Sequence, residues 1–284
     1  MRRCGVDAGR GALALAAVVL CCASVPALAE QKPLWEFGLG VGAIRFPDYR
    51  GADRTQSYAV PVPYVVYRGE FVKADRNGVR GLFFNSDRVE LNVGLSASAP
   101  VDSSDNPARA GMPNLRPTVE VGPSLDLTLW RAANRSAKLD FRLPLLTGIT
   151  IERNPHSIGF QFSPRLNLDL RDPLGMTGWN LGLVAGPIFA DKKRHQYFYS
   201  VQPQFAAAGR PAYEASAGFA GTQFLAAVSK RYPSFWVGAF LRYDTLKGAV
   251  FDDSPLLKRD NYVAGGIALS WIIGESSRMV EASD

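Results

Sequence analysis

"SIGFQFSPRLNLDL", residues 157–170, places Ile158, Phe160, Phe162, Leu166, Leu168 and Leu170 on one parity and Gln161, Ser163, Arg165, Asn167 and Asp169 on the other. A side-chain period of two marks a β-strand with one apolar and one polar face. Period alone leaves open which face meets water. The same alternation recurs in "RVELNVGLSAS" (88–98), "TVEVGPSLDLTLW" (118–130) and "KLDFRLPLL" (138–146). Further candidate strands are 34–46, 58–67, 69–76, 78–85, 177–190, 213–231, 234–246 and 261–273, which brings the total to about twelve.

What joins the strands decides between a soluble sandwich and a membrane barrel. In chain order the connections run long (47–57), tight, tight, tight, long (99–116), short, medium (150–157), short, long (191–212), short, long (247–260). Every long connection falls on one end. A transmembrane barrel has short periplasmic turns and longer outer loops, with an even strand count returning both termini to the periplasm. A sandwich has no reason to sort its loops in this way. Many segments also exceed the mode of about 5–6 residues for strands in globular proteins. The sequence therefore predicts an all-β, antiparallel transmembrane barrel, in which Phe160 and Leu166 face lipid while Arg165 and Asp169 face the lumen. Because hydrocarbon satisfies no backbone polar group, such a sheet must close on itself.

The beginning of the chain fits export. Arg2, Arg3 and Arg10 precede an apolar run from Gly11 to Val25, and Ala27-Leu28-Ala29 supplies a small-residue cleavage site. This reads as a signal peptide over 1–29, followed by a single barrel domain over 30–273 and a polar tail, "GESSRMVEASD", over 274–284. The tail is expected to hang free in the periplasm or to serve as a docking segment. All three cysteines, Cys4, Cys21 and Cys22, lie in the leader, so the mature barrel is expected to hold together without disulfides. A net charge of +6 with no long basic run argues against nucleic acid as a partner.

On the polar parity, Glu90, Glu120, Asp126, Asp140 and Asp169 alternate in sign with Arg142 and Arg165. In a lumen about a dozen strands wide, these seven residues are expected to form a hydrogen-bonded mesh that narrows the passage. Aromatic residues near strand ends, Trp35, Trp130, Tyr197, Tyr199, Tyr232, Trp236, Tyr243 and Tyr262, suit interfacial girdles. Proline opposes the barrel. Pro61, Pro63, Pro123, Pro144, Pro164 and Pro187 all fall inside expected strands, where a residue without an N–H needs a bulge, a bend or a place beyond the hydrocarbon.

Catalytic and metal motifs are scarce. His156, in "RNPHS", and His195, in "DKKRH", are read as solvated loop residues, and no G-x-S-x-G nominates a serine nucleophile. The acidic loop residues Asp102, Asp105, Asp252 and Asp253 lack calcium-loop spacing, and no metal or cofactor is expected. Lys192, Lys193 and Arg194 lie on the long-loop side, where they are placed to meet lipopolysaccharide head groups.

Three stretches carry a family resemblance: "FPDYRGAD" (46–53), "VPYVVYRGEFVKADRNGVRG" (62–81) and "FDDSPLLKRDNYVAGGIALSW" (251–271). With "YFYSVQPQFAAAGRPAYEASAGFAG" (197–221), they resemble the MipA/OmpV family of outer-membrane proteins. The family-motif positions are Asp48, Tyr49, Arg50, Gly51, Tyr64, Tyr67, Arg68, Gly69, Lys73 and Asp75. The resemblance implies a non-enzymatic outer-membrane barrel that scaffolds murein-remodelling enzymes, a lytic transglycosylase and a murein synthase. It supplies no catalytic residues. The alternative reading, drawn from the charged lumen, is a narrow channel or solute-uptake barrel.

Overall fold

The computed structural model describes residues 31–75 and 78–281. The expected signal peptide and the end of the tail lie outside the described residues. The strands are β1 (Gln31–Pro33), β2 (Trp35–Pro47), β3 (Thr55–Arg68), β4 (Val72–Asp75), β5 (Gly78–Asn85), β6 (Val89–Ser98), β7 (Thr118–Arg131), β8 (Ala137–Thr150), β9 (Ser157–Phe162), β10 (Arg165–Arg171), β11 (Trp179–Ala190), β12 (Gly218–Arg231), β13 (Phe235–Thr245), β14 (Asn261–Glu275) and β15 (Met279–Glu281), with one α-helix, α1 (Lys192–Tyr199).

β2 to β14 form one antiparallel sheet that closes on itself, because β8 and β11 each pair with both β9 and β10. β9 and β10 are the halves of one strand parted at Ser163 and Pro164, so the thirteen segments make a twelve-stranded barrel. No helix among the described residues is long and apolar enough to cross a membrane; the strands do the crossing. The alternating pattern reads out as expected. Leu39, Val41, Phe160, Leu166, Val263 and Ile267 are exposed on the outer wall, while Asn167 and Asp169 are buried inside. Ile158 departs from it: Gly159, at φ +100°, shifts the register against β8 and turns Ile158 inward, over Gly148.

The five longer outer connections lie at the same end, as their sorting predicts, but they do not stand open. Tyr49 and Ala52 from the β2–β3 loop, Val101 and Leu115 from the β6–β7 loop, Tyr199, Val201 and Ala215 from the β11–β12 segment, and Leu246, Phe251 and Leu256 from the β13–β14 loop pack into one buried apolar cluster. Tyr199 stacks on Phe251 with ring centroids 3.7 Å apart, and Tyr49 meets Tyr199 edge-on at 6.2 Å. The physical reason is geometric. A barrel wall spends its apolar side chains on lipid, so the dry core collects in the loops, which roof the outer mouth as a plug.

Several sequence expectations are corrected here. His195, read as a solvated loop residue, and Arg194, expected to meet lipopolysaccharide, are both buried in the plug on α1; His156 remains exposed. Of the expected girdle residues, Trp35, Trp130 and Tyr243 are exposed on the outside. Tyr199 belongs to the plug, Tyr262 is buried, and Trp236 packs on the inward-facing Tyr64, with centroids 5.9 Å apart, because these strand positions carry lumen parity. β14 runs on to Glu275, and Met279–Glu281 then pairs with Gln31–Pro33. The expected free tail is thus in part a ribbon that zips the two ends of the chain together.

The prolines are accommodated individually. Pro164 breaks β9 from β10, and Pro187 sits at the register shift of β11. Pro123 faces a gap in the β7–β8 ladder, which jumps from the Val121–Thr147 pair to Ser124–Pro144. Pro61 and Pro63 reveal a larger feature. β4 has four residues where a full strand across 69–76 was expected, and β3 pairs with it only through Tyr67 and Arg68. β5 pairs with β6 no further up than Gly94. Residues 55–66 of β3 and 95–98 of β6 therefore lack a strand neighbour on that side, and the outer half of the wall has a window between them. A proline on a free strand edge forfeits no ladder bond on that side.

Candidate functional site

Beneath the plug lies a cavity of about 570 Å³. Strand parity brings charged side chains to it: Glu120 and Asp126 from β7, Arg142 from β8, Arg165 from β10, Arg80 from β5 and Arg242 from β13, with Arg50 and Arg194 entering from the loops. Most of these arginines have carboxylate partners. Arg142 lies 3.5 Å from Asp126, 3.3 Å from Asp140 and 3.9 Å from Asp169. Arg80 bridges Asp75 and Glu90, each at 2.9 Å. Arg194 binds Glu120, and Arg50 and Arg242 share the fully buried Asp244 at 3.0 and 2.6 Å. All seven lumen candidates named from sequence thus fall in or beside one network, except that Arg165 has no hydrogen-bond or ion-pair partner among the described residues. It sits directly across from Arg142 in the β8–β10 register.

The family-motif positions split into two groups. At the outer end, the carboxylate of Asp48 accepts hydrogen bonds from Gln56 and, at 2.7 Å, from Asn106. Tyr49 donates to the Leu256 carbonyl at 2.7 Å, and the Gly51 carbonyl accepts from the amides of Lys258 and Arg259. Gly51 has φ +86°, and a Cβ there would lie 2.3 Å from Leu257 Cδ1. The "DYRG" turn is therefore the pin that fixes the plug to the wall. At the periplasmic rim, Glu36 collects Arg68 at 2.9 Å, Arg231 at 2.8 Å and the Tyr64 hydroxyl at 3.2 Å. Tyr67 lies on the outside, and Gly69 leaves room for its ring. Asp75 joins the lumen network through Arg80, and Lys73 stands opposite Arg80 in the β4–β5 register.

The histidines form no catalytic relay. Thr150 Oγ1 at 3.2 Å and Glu152 Oε1 at 3.0 Å both approach Nδ1 of His156, whereas a relay needs the nucleophile and the orienting acid on opposite ring nitrogens. His195 Nδ1 lies 2.6 Å from the Ser216 carbonyl, and its Nε2 is buried without a partner. Burial lowers the pKa of His195, opposed by the Ser216 bond and reinforced by Arg194 and Arg50, so the ring is held neutral. No group of three or more His, Cys, Asp or Glu among the described residues is arranged to hold a metal.

Sequence reasoning missed Arg50, Arg194 and Arg242 as lumen groups and did not foresee the plug. The aromatic, apolar loop segments "YFYSV" (197–201) and "VFDDSPLL" (250–257) were the available signal, since loops meeting only solvent have no use for them.

Closed wall, sorted loops and a charged lumen define a twelve-stranded barrel of the outer-membrane type, roofed by its own loops. The chain belongs to the family described as MltA-interacting protein MipA, whose model matches residues 39–273. Comparison with curated proteins gives no match. Among solved structures, the chain is similar to a bacterial polysaccharide outer membrane secretin, at 11% identity over 86% of this chain and 99% of that one, with a TM-score of 0.39. That likeness is too distant to inform fold detail or function.

Proposed function

We propose that this protein is a non-enzymatic anchor in the outer membrane for murein-remodelling enzymes. The proposed first partner is an MltA-type lytic transglycosylase, with a murein synthase recruited alongside it. The observation that carries this reading is the β1–β15 ribbon, a structured element at the periplasmic end, opposite the plug. Support comes from the family's own description as MltA-interacting. At the same end, across the barrel from the ribbon, the turn 131–136 offers Arg131 and Arg135, both exposed. At the other end, Lys193 of α1 is exposed and placed to meet lipopolysaccharide.

The test is direct binding of a purified MltA-type transglycosylase to the barrel in detergent. Deleting residues 276–284 together with R131E and R135E is expected to weaken binding about tenfold, by removing rim charges and the ribbon surface. Unchanged affinity in a variant that keeps heat-modifiable gel migration overturns the proposed contact.

A further inference from the structure

The lumen cavity and the window in the wall belong together. The cavity is lined by Gly94, Leu95, Ser96, Ala97 and Ser98 in succession. Successive residues of a strand point to opposite faces, so a cavity touching all five runs around the free edge of β6 and out through the wall. Leu95 and Val79, both lining it, are more than half exposed on the lipid-facing side. The window is framed below by the β4–β5 hairpin and bridged above by loop contacts, Arg54 to Asp105 at 3.5 Å and Asp48 to Asn106 at 2.7 Å. Along its two edges the outward-facing positions are apolar: Ala59, Pro61 and Pro63 on β3, and Leu95 and Ala97 on β6.

The interior is the reverse. Arg165 has no acceptor among the described residues. Two buried side-chain nitrogens of residues lining this cavity, Arg194 Nη1 and His195 Nε2, lack a hydrogen-bond partner among the described residues. Buried donors without acceptors are costly. Arg165 and Arg194 carry guanidinium groups, whose planar forks match phosphate and carboxylate oxygens.

We infer that the cavity binds an anionic amphiphile drawn from the membrane through the window between β3 and β6. The head group sits on Arg165 and the unpartnered Nη1 of Arg194. The chain lies across the apolar rim in the bilayer. The membrane is the source because the outer mouth is roofed by the plug, whereas the window opens on the lipid-facing wall.

The experiment is calorimetric titration of the full-length protein, in an uncharged maltoside detergent, with dodecyl phosphate and separately with inorganic phosphate. Dodecyl phosphate is expected to bind saturably at one site and inorganic phosphate far more weakly. R165Q is expected to weaken dodecyl phosphate binding about tenfold, the loss expected for a charge-assisted hydrogen bond. A97W, which fills the window, is expected to abolish binding without altering heat-modifiable migration. If either variant fails to fold, native mass spectrometry of wild-type protein extracted from membranes is expected to show one retained anionic lipid. Absence of saturable binding, an R165Q variant that binds like wild type, or inorganic phosphate binding as tightly as dodecyl phosphate overturns the inference. The last outcome would make the site one for free anions.

Discussion

At the scale of single residues, Asp244 is the most exacting position. Its carboxylate is fully buried and compensates both Arg50 and Arg242. D244N leaves two guanidinium groups around a neutral amide, and breaking a buried pair in this way costs about 3–5 kcal/mol. The expected readout is a large fall in the urea midpoint of the folded barrel in detergent. G51A is expected to loosen the plug, because the new methyl meets Leu257 and the backbone is left-handed there. His195 adds a pH dependence. Its folded pKa lies below the ordinary 6.5, so the unfolded loop takes up a proton first as pH falls. The stability His195 confers is complete above about pH 6.5 and drains away below it. Hydrogen-exchange protection factors across 191–217, taken relative to the intrinsic exchange rate at each pH, are expected to fall between pH 7 and 5 in the wild type and to stay level in H195N. Little of this was legible beforehand. Parity placed Asp140, Arg142, Arg165 and Asp169 inside, but nothing in the sequence pairs Arg50 with a residue 194 positions away.

At the scale of elements, the strand periods were the most legible part of the fold, because lipid on one face and charge on the other leave little freedom. Two misreadings share a cause. The stretch 69–76 alternates like a full strand, yet only Val72–Asp75 pairs, and the polar tail pairs where no alternation suggested it. Pairing depends on what lies alongside, which local pattern does not encode. The proline contradiction dissolves for the same reason, and it can be tested. P63V is expected to leave the yield of heat-modifiable barrel unchanged, since the proline already lies beside a free edge. L269P, in β14 with β13 and β2 on its two sides, is expected to block assembly.

At the scale of the whole molecule, the roofed mouth predicts a silent planar bilayer for the intact protein. Removing residues 200–215 from the plug is expected to produce conductance steps that favour anions, and R142Q with R165Q is expected to abolish that preference. Steps of equal size from the intact protein would show that the plug does not close the lumen. The plug also bears on the girth of the barrel. A barrel ordinarily keeps its circumference through an unbroken ring of ladder bonds. Here the ring is missing rungs at the window, and above the gap the Arg54–Asp105 and Asp48–Asn106 contacts join the loop after β2 to the loop after β6. The outer half is a split hoop closed by a tie rod, its bore set by the length of two loops.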